Sequence, residues 1–450
     1  MRFVKLLFGC GVVLLAGCSS RNEPSAKEGG PVLFEGARLI DGNGGAPVED
    51  SAFVMENNKI TMVGKKGQIQ APAGAARVDL SGKTVMPALI DAHTHLGWAI
   101  IRTGQMGVDT YTKENLIDHL HRLAYYGVVA TQSMGIDPGE AAYQVRAEPI
   151  PDAALFRISG RGMGRPKAGP GREYWQPVAY GIDTEDQGRK AVQELAAKKV
   201  DWVKIWVDDR NGTVPKLTPP LYRAIIDEAH KNNLRVVAHI YYLADAKDLL
   251  RAGIDGFAHL VRDKDIDDEF VRMMKERPAV FVMPNLPDIG TALLDPAWKD
   301  TLSETVPAAE IKRQQDALTS RTPDAVKKAQ DFFDLQARNL KKLNDAGVRI
   351  GFGTDSSTTV GWNDHEELAD MVTAGMTPAQ VIVAATKTSA GILKLDQLGT
   401  VETGKSADFI VLDANPMDNI ANTRRIAKVY LRGKEVDRAA LRRDFMKGEQ

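Results

Sequence analysis

Between residues 87 and 398, short runs of β-branched and apolar residues alternate with longer segments of helical periodicity. A helix between two strands carries the chain back to the starting edge, so this alternation predicts a parallel sheet. Eight strand-type segments follow one another in this way, which predicts an α/β fold of the (β/α)8 TIM barrel kind. The predicted strands are 84–91, 128–134, 155–159, 202–207, 235–239, 256–259, 280–283 and 349–353.

The regions on either side of the predicted barrel have short apolar runs separated by turn residues. Residues 31–86 precede the barrel and residues 399–438 follow it, and both are predicted to be β structure. We expect them to join in one small β-sandwich domain formed from both termini, with two unrelated β caps as the alternative. Inside the barrel region, residues 284–347 form a long insertion, and insertions of this kind often act as lids or binding elements.

Charge and cysteine content exclude several classes of protein. The 450 residues include 58 basic and 59 acidic side chains, a balance without the basic surface of a nucleic-acid-binding protein. The 2 cysteines are too few for a disulfide framework or a cysteine-rich zinc module. A metal site in this chain therefore depends on His, Asp, Glu or a modified Lys. The sequence leaves the oligomeric state open.

The amino terminus has the pattern of a secretory signal. Residues 1–17 combine basic residues with an apolar segment too short to span a bilayer as a stable helix. This segment ends in Leu15-Ala16-Gly17 and is followed by Cys18. Together these four residues resemble the bacterial lipobox, which implies a lipidated Cys18. The polar residues 18–30 are predicted to be a flexible tether. We therefore expect a cell-envelope protein, lipid-anchored at the outer membrane on the periplasmic side. Ordinary signal cleavage and an uncleaved anchor are the alternatives.

Six polar residues fall near the carboxyl ends of predicted strands, the face at which barrel enzymes keep their active sites. His93 and His95 are two positions apart in a strand, so both imidazoles face the same side. A lone pair of this kind is often structural: His119 and His121 have the same spacing in a helical stretch, where their side chains diverge. The complete set predicts a metal site. It consists of His93, His95, Lys204, His239, His259 and Asp355.

The motifs that contain these residues resemble the amidohydrolase superfamily of metal-dependent hydrolases over about residues 31–438. Within the superfamily, the resemblance is to the branch of imidazolonepropionase-like and Xaa-Pro dipeptidase-like proteins. It implies a (β/α)8 barrel with a β-sandwich built from both termini. The matching segments are Pro87-x-x-Ile90-Asp91-x-His93-x-His95, Lys204, His239, His259, Gly353-Thr354-Asp355, Ala374-Gly375-Met376-Thr377-Pro378, Ala384-Ala385-Thr386 and Gly399-x-Val401-x-x-Gly404-x-x-Ala407-Asp408.

The resemblance implies two divalent metal ions, with Zn²⁺ favoured and Mn²⁺ or Co²⁺ as alternatives. One ion would be held by His93, His95 and Asp355, and the other by His239 and His259. Lys204, carboxylated by CO₂, would bridge the two ions together with a hydroxide that attacks the substrate. A carbamate is an anionic ligand, and only the neutral amine of a lysine reacts with CO₂. Asp355 would transfer the proton to the leaving amine.

Several other residues are candidates for contact with a small-molecule substrate. Tyr241, two residues after His239, resembles a tyrosine of this branch that contacts the substrate oxygen; a rim aromatic is the alternative. In the loop after the third strand, Arg161, Arg165 and Arg172 are candidate carboxylate or phosphate clamps, or solvated charges. His365 opens the helix after the eighth strand and is a candidate for the mouth of the site, although a structural role is the commoner one.

The reaction expected from these residues is cleavage of an amide or peptide-type C–N bond at a binuclear centre. Dipeptides, N-acyl amino acids and xenobiotic amides are the candidate substrates for a protein at the cell envelope. One alternative is a cyclic amidohydrolase or deaminase of the imidazolonepropionase kind, although the Glu that such deaminases carry three residues after the fifth-strand His is replaced here by Tyr242. Ester, lactone or phosphotriester hydrolysis is a second alternative, and a lipid-anchored binding protein on an inactive barrel is a third.

Overall fold

The computed structural model describes residues 30–287, 289 and 291–448. The predicted signal segment 1–17, Cys18 and almost all of the predicted tether lie outside these residues. Within them, no helix is both long enough and apolar enough to cross a membrane. The predicted lipid anchor at Cys18 lies outside the described residues and stays a prediction.

Strands and helices alternate through the middle of the chain, as the sequence pattern predicts. In chain order the strands are β1 Val32–Leu39, β2 Val48–Glu56, β3 Lys59–Lys65, β4 Ala76–Asp79, β5 Thr84–Pro87, β6 Leu89–Thr94, β7 Ala99–Ile100, β8 Gln105–Met106, β9 Val128–Ser133, β10 Leu155–Arg157, β11 Met163–Gly164, β12 Tyr180–Gly181, β13 Val203–Val207, β14 Val236–Ile240, β15 Gly256–Phe257, β16 Phe281–Val282, β17 Arg349–Ile350, β18 Phe409–Leu412, β19 Ile426–Leu431 and β20 Lys434–Glu435. The α-helices are α1 Lys113–Tyr125, α2 Ala141–Arg146, α3 Glu185–Ala197, α4 Pro219–Lys231, α5 Leu243–Ala252, α6 Asp268–Lys275, α7 Thr291–Leu294, α8 Pro296–Leu302, α9 Ala308–Thr319, α10 Pro323–Asp345, α11 Trp362–Thr373, α12 Pro378–Val383, α13 Ser389–Ile392 and α14 Arg438–Phe445.

The central strands pair in parallel in two sheets. One has the order β10-β9-β6, and the other has the order β12-β11-β13-β14-β15-β16-β17. Backbone hydrogen bonds link the sheets at both edges: Ala92 N–H donates to Phe352 O at 2.9 Å, and Asp201 N–H donates to Ile158 O at 2.9 Å. The carboxyl ends of both sets of strands therefore meet on the same side of the molecule.

The prediction of one continuous strand over residues 84–91 was wrong. The structure divides it into β5 and β6, which belong to different sheets. Ala88 N–H donates to Asp408 O in the terminal sheet, whereas the next amide, Leu89 N–H, donates to Gly127 O beside the parallel strands. The periodicity of an apolar run does not reveal such a change of partner, because both halves are buried.

Strands from both ends of the chain share a sheet with the order β20-β19-β18-β5-β1-β2-β3, and β4 pairs with β1. Its core contains Phe34, Phe53, Phe409 and Tyr430, whose rings lie 4.6–5.3 Å apart. The two terminal regions are therefore joined, as predicted. Strand pairing gives a single sheet, so the two-layer sandwich stays a proposal.

The insertion after β16 contains α7 to α10, and its last helix fixes a loop above the parallel strands. Asn339 of α10 is buried and donates to Val261 O and Lys264 O, while its Oδ1 accepts from Ile266 N–H at 2.9 Å. Gln336, one turn earlier, is fully buried as well. The insertion thus holds in place the chain that directly follows β15.

Gly135, after β9, allows the backbone to approach β13 closely, and this gives a stability prediction. Its φ is +88°, and a Cβ added there would lie 2.8 Å from Cβ and Cγ of Lys204. Gly139 has a φ of +62° with nothing within 4 Å of such a Cβ. Gly139→Ala should cost about 1–2 kcal/mol of unfolding free energy for the left-handed backbone, and Gly135→Ala roughly 1–3 kcal/mol more for overpacking. Denaturant unfolding of both metal-free variants measures the difference, and equal costs would contradict the close approach.

Candidate active site

Three of the predicted ligands converge at the end of β6. The Oδ1 atom of Asp355 lies 3.1 Å from Nε2 of His93 and 2.9 Å from Nε2 of His95. One potential ligand atom from each of the three side chains lies within 4.8 Å of the others. Both histidines are buried, whereas the Asp355 side chain is 40% exposed. One face of this cluster is therefore open to a small molecule.

The backbone holds these three side chains together through reciprocal hydrogen bonds. Thr354 N–H and Asp355 N–H both donate to His93 O, and His95 N–H donates to Ser356 O. A Cβ at Gly353 would lie only 2.6 Å from Cβ of His93, so glycine is required for this approach. The loop after β17 is thus fastened to the end of β6.

The ionisation states in this cluster favour a cation ligand set. Burial, with the nearby charge of Lys204, lowers the pKa of His93 to about 3, so its ring is neutral. Burial opposes ionisation of Asp355, but the adjacent rings of His93 and His95 outweigh it and hold the pKa of the carboxyl well below its usual value. Imidazole nitrogens and a carboxylate are the donors that Zn²⁺ and similar ions prefer.

Asn285 orients one of these histidines. Its Oδ1 lies 3.0 Å from Nδ1 of His93 and accepts a hydrogen bond if that nitrogen carries the proton. The proton on Nδ1 leaves Nε2 with its lone pair, and this buried atom faces Oδ1 of Asp355, another acceptor, at 3.1 Å without a hydrogen bond among the described residues. The orphaned nitrogen therefore fits a metal ion at this place.

Replacing Asn285 with alanine should weaken zinc binding by roughly 10- to 100-fold, as loss of a partner that orients a ligand generally does. The affinity can be measured by competition with a chromophoric chelator. Asn422→Ala is the matched control, because Asn422 donates to Asn415 O in the carboxy-terminal region. Unchanged zinc affinity in Asn285→Ala would contradict this role of Asn285.

Three further predicted ligands lie beside this cluster. The ring of His259 lies 5.2 Å from that of His93 and 4.6 Å from that of His239. Nε2 of His239 lies 3.0 Å from Oδ2 of Asp208, which leaves Nδ1 free for a ligand when Nε2 carries the proton. Burial lowers the pKa of His239 to about 4. Lys204 is fully buried in β13, and burial lowers the pKa of its amine to about 7.

Arg262 occupies one nitrogen of His259, a predicted ligand of the second metal ion. Its Nη2 atom donates to Nδ1 of His259 at 2.7 Å. Burial and the charge of Arg262 hold the pKa of His259 well below its usual value, so the neutral ring carries its proton on Nε2. His93, His95 and Asp355 fit a metal ion as they stand. His239 fits as well, but His259 can join it through Nδ1 only when the guanidinium leaves.

Tyr241 and Arg161, two of the predicted substrate contacts, form contacts within the protein. Tyr241 is half-buried beside the site, and its backbone oxygen accepts from Arg262 N–H at 2.8 Å. Arg161 donates to Val178 O and lies over the ring of Tyr180. Their roles toward a substrate stay predictions.

The loop that contains the other two arginines is braced from within. Arg165 forms a 2.6 Å ion pair with Asp183, and the guanidinium carbon of Arg172 lies 5.2 Å from the ring centroid of Trp175. The Trp175 ring also lies 5.1 Å from that of His95. Arg165 thus holds its own loop together in this structure, and its role toward a substrate stays a prediction.

The structure corrects the expectation for His365. Its side chain is fully buried, Nδ1 lies 3.0 Å from Oγ1 of Thr423, and Nε2 lies 3.1 Å from Tyr126 O. With both nitrogens engaged and no exposed surface, His365 packs α11 against α1 rather than lining the mouth of a site. The burial of the first turn of α11 explains the difference.

Sequence reasoning missed four polar residues of the site: Asp208, Asn285, Arg262 and Asp137. Each follows a strand that was predicted, so position at a strand end is the signal that points to them. Asp137 is buried and accepts hydrogen bonds from Tyr111 and Gly160 N–H. Burial raises its pKa to about 6.

A group of buried carboxyls lies behind the cluster. Asp91 accepts from His93 N–H and from both Thr354 N–H and Thr354 Oγ1–H. Burial raises the pKa of Asp91 to about 7, and it raises the pKa values of Asp364 and Glu367 well above their usual range. Through its bonds to His93 and Thr354, Asp91 joins β6 to the loop that carries the carboxylate.

Comparison with known proteins agrees with this geometry. The family model described as amidohydrolase family matches residues 84–436. Imidazolonepropionase of Deinococcus radiodurans is 25% identical over 411 residues, 86% of this chain and 92% of that protein.

Two solved structures share the fold. A Bifidobacterium longum protein, provisionally described as a prolidase, has a TM-score of 0.71 and 25% identity over 93% of this chain and 99% of that one. A Xaa-Pro dipeptidase with methionine in its active site has a TM-score of 0.70 and 22% identity over 90% of this chain and 99% of that one. The chain belongs to the amidohydrolase family and is an enzyme of that family.

Proposed function

We propose that the protein hydrolyses an amide or peptide-type C–N bond of a small molecule, at a binuclear metal centre in a (β/α)8 barrel. The single observation that carries this proposal is the convergence of His93, His95 and Asp355 beside a buried Lys204. Dipeptides, N-acyl amino acids and xenobiotic amides are the proposed substrates. The prolidase and dipeptidase descriptions of the structural neighbours support this class.

In the proposed centre, His93, His95 and Asp355 would hold one Zn²⁺, and His239 and His259 would hold a second once Arg262 has left Nδ1 of His259. The neutral amine of Lys204 would add CO₂ and release a proton to give a carbamate, which would supply an anionic ligand to both ions. Its pKa of about 7 supports this step, because the neutral amine that reacts with CO₂ is then populated at neutral pH. When bound, such ions polarise the substrate carbonyl and lower the pKa of a water molecule. Mn²⁺ and Co²⁺ suit the same donors.

The proposed proton transfers depend on Asp355. Its low pKa keeps the carboxylate ionised at neutral pH, so it can accept the proton that the attacking water loses. The same carboxyl then gives that proton to the nitrogen of the breaking C–N bond, which leaves as an amine. Tyr241, half-buried beside His239, is proposed to donate its hydroxyl hydrogen to the substrate oxygen.

The proposed setting is the cell envelope. The lipobox-like segment that ends at Cys18 supports a lipid anchor at the outer membrane, facing the periplasm. A protein placed there meets peptides, acylated amino acids and xenobiotics from outside the cell. Cytosolic intermediates of amino-acid degradation do not reach it, which favours a scavenging or detoxifying hydrolase.

A second candidate function is hydrolysis of a cyclic amide, or deamination, at a single metal ion. The bond from Arg262 to His259 favours it, because His259 is then withheld from a second ion. The similarity to imidazolonepropionase also supports it.

Product analysis distinguishes the two. Zinc-reconstituted protein is incubated with dipeptides, N-acyl amino acids, aryl amides and aminated heterocycles, and the products are identified by mass spectrometry. Release of an amine together with a carboxylic acid, at two ions per chain, supports the proposal. Ammonia release or ring opening at one ion per chain supports the second candidate, and turnover of esters or phosphotriesters alone contradicts both.

A further inference from the structure

A cavity lies at the amino end of β17, away from the ligand cluster. Arg349 begins this strand, and Asp355 lies beyond its other end. An extended chain over residues 349–355 spans about 20 Å. The cavity has a volume of about 350 Å³, within the range of roughly 300–1,000 Å³ that is usual for small-molecule pockets. It is therefore large enough for a ligand and is separate from the proposed metal centre.

The apolar part of the cavity borders a π-helical turn. This turn, Ala384–Thr388, lies between α12 and α13. Ala384 lines the cavity together with Ile350 and Met376, and all three residues are buried. π-Helical turns are rare and occur frequently at functional sites. An apolar surface of this kind suits the hydrocarbon part of a small molecule.

Three polar side chains of the lining have no partner within the part of the chain that the structure describes. Arg349, Asn344 and Thr388 are half-buried, and their side chains form no hydrogen bond or ion pair there. Thr377 and Gln380 also line the cavity, but the Thr377 hydroxyl donates to Oε1 of Gln380 at 3.1 Å. The guanidinium, amide and hydroxyl donors of the first three are therefore available to a ligand.

The charge of Arg349 decides which kind of ligand fits. Burial lowers the pKa of its guanidinium, and no opposite charge among the described residues offsets this. The pKa of Arg235 is lowered mainly by burial, and the like charge of Arg349 adds to the effect. Arg157, also close to Arg235, shows the contrast: its Nε lies 2.9 Å from Oδ1 of Asp201. Arginine stays protonated in proteins, so an anion in the cavity would supply the charge that Arg349 lacks.

We propose that this cavity binds a small carboxylate that carries an apolar chain or ring, with its carboxylate paired to Arg349. The planar guanidinium can offer two parallel N–H groups to the two carboxylate oxygens. The apolar part of the ligand would cover Ile350, Met376 and Ala384. The site does not depend on the proposed hydrolysis, because it shares no residue with the ligand cluster.

The test compares octanoate with octanamide, which have the same chain and differ in charge. Binding of each to the zinc-loaded protein is measured by ligand-observed NMR titration. The proteins are the wild type, Arg349→Met, Arg349→Lys, Ala379→Phe and the control Arg77→Met. Ala379 is a half-buried residue of the lining, so the larger ring would fill part of the cavity and leave the charge in place. Arg77 is an exposed arginine of the terminal sheet, paired with Glu35.

The wild type should bind octanoate at least about 10-fold more tightly than octanamide, since hydrogen bonds between charged groups are the stronger ones. Arg349→Met should reduce this ratio to near one, Arg349→Lys should keep part of it, and Arg77→Met should keep all of it. Ala379→Phe should weaken both molecules. Circular dichroism establishes that each variant is folded.

A wild type that binds neither molecule, or that binds both equally well, would overturn the inference. A preference for octanoate that survives in Arg349→Met would overturn it too, because the carboxylate would then bind elsewhere, for example at zinc. If Arg349→Met does not fold, Ala379→Phe decides: unchanged affinity for octanoate in that variant would exclude this cavity.

Discussion

His93→Ala should leave the purified protein without bound zinc and lower amide hydrolysis by roughly 10³-fold or more, since a metal ion supplies several kcal/mol to such a reaction. His93 contributes the orphaned Nε2 atom, and its Nδ1 is fixed by Asn285. The ring also lies against those of His95 and His259, so its loss opens the centre of the ligand cluster. Metal content by mass spectrometry and kcat/KM measure the two effects.

His365→Ala is the matched control for this experiment. His365 is as fully buried as His93, but its nitrogens bond to Thr423 and Tyr126 rather than facing an orphaned position. It should lose stability through the cavity and keep wild-type zinc content and KM when assayed as folded protein. An active, zinc-loaded His93→Ala protein, or a His365→Ala protein that loses zinc, would contradict the assignment of the cluster.

Asp355→Asn should lower kcat by about 10²- to 10⁴-fold, the range expected when a group that transfers a proton is lost. The amide is close in size to the carboxylate but cannot accept the proton of water at neutral pH. Measurements at saturating zinc separate this loss from weaker metal binding, and the bound metal is determined in the assayed sample. Wild-type kcat in the zinc-loaded Asn variant would remove Asp355 from the proton transfers.

The pH dependence of wild-type activity is a second test of the role of the Asp355 carboxyl. Because its folded pKa is well below the usual value, Asp355 stays ionised as pH falls until that low pKa is reached. Activity that depends on its carboxylate is therefore present across the neutral range and is lost only at strongly acidic pH. A loss of kcat in zinc-saturated protein that follows one carboxyl titrating above its ordinary range would point to a different proton acceptor.

The positions of the six candidate ligands could be predicted because they lie in, or a few residues after, strands that are mostly apolar. All five residues of β13 are buried, so a lysine in that strand stands out in the sequence as a group that packing alone does not explain. His239 is likewise the only ionisable residue of β14. The spacing of His93 and His95 adds that both face the same side, and the structure brings these two to Asp355.

The partners of these residues could not be predicted, because they come from distant parts of the chain. Asn285 reaches His93 across 192 positions, and Gln336 reaches Arg262 across 74. Such pairs depend on how the insertion packs over the strands, which periodicity does not specify. The place of His365 was left open for a related reason: its position at a helix start allowed both a site-mouth role and a structural role, and tertiary packing buries it.

Titration of metal-free protein with zinc, while amine release from N-acyl amino acids and dipeptides is followed, is the most direct test of the proposed function. The protein is first stripped with a chelator, and zinc is then returned in steps in the presence of bicarbonate. The account predicts no amine release from the stripped protein and a rate that rises with zinc bound, to a maximum at two ions per chain. Full activity of the stripped protein, or a zinc-saturated protein that releases no amine from these amides, would contradict it.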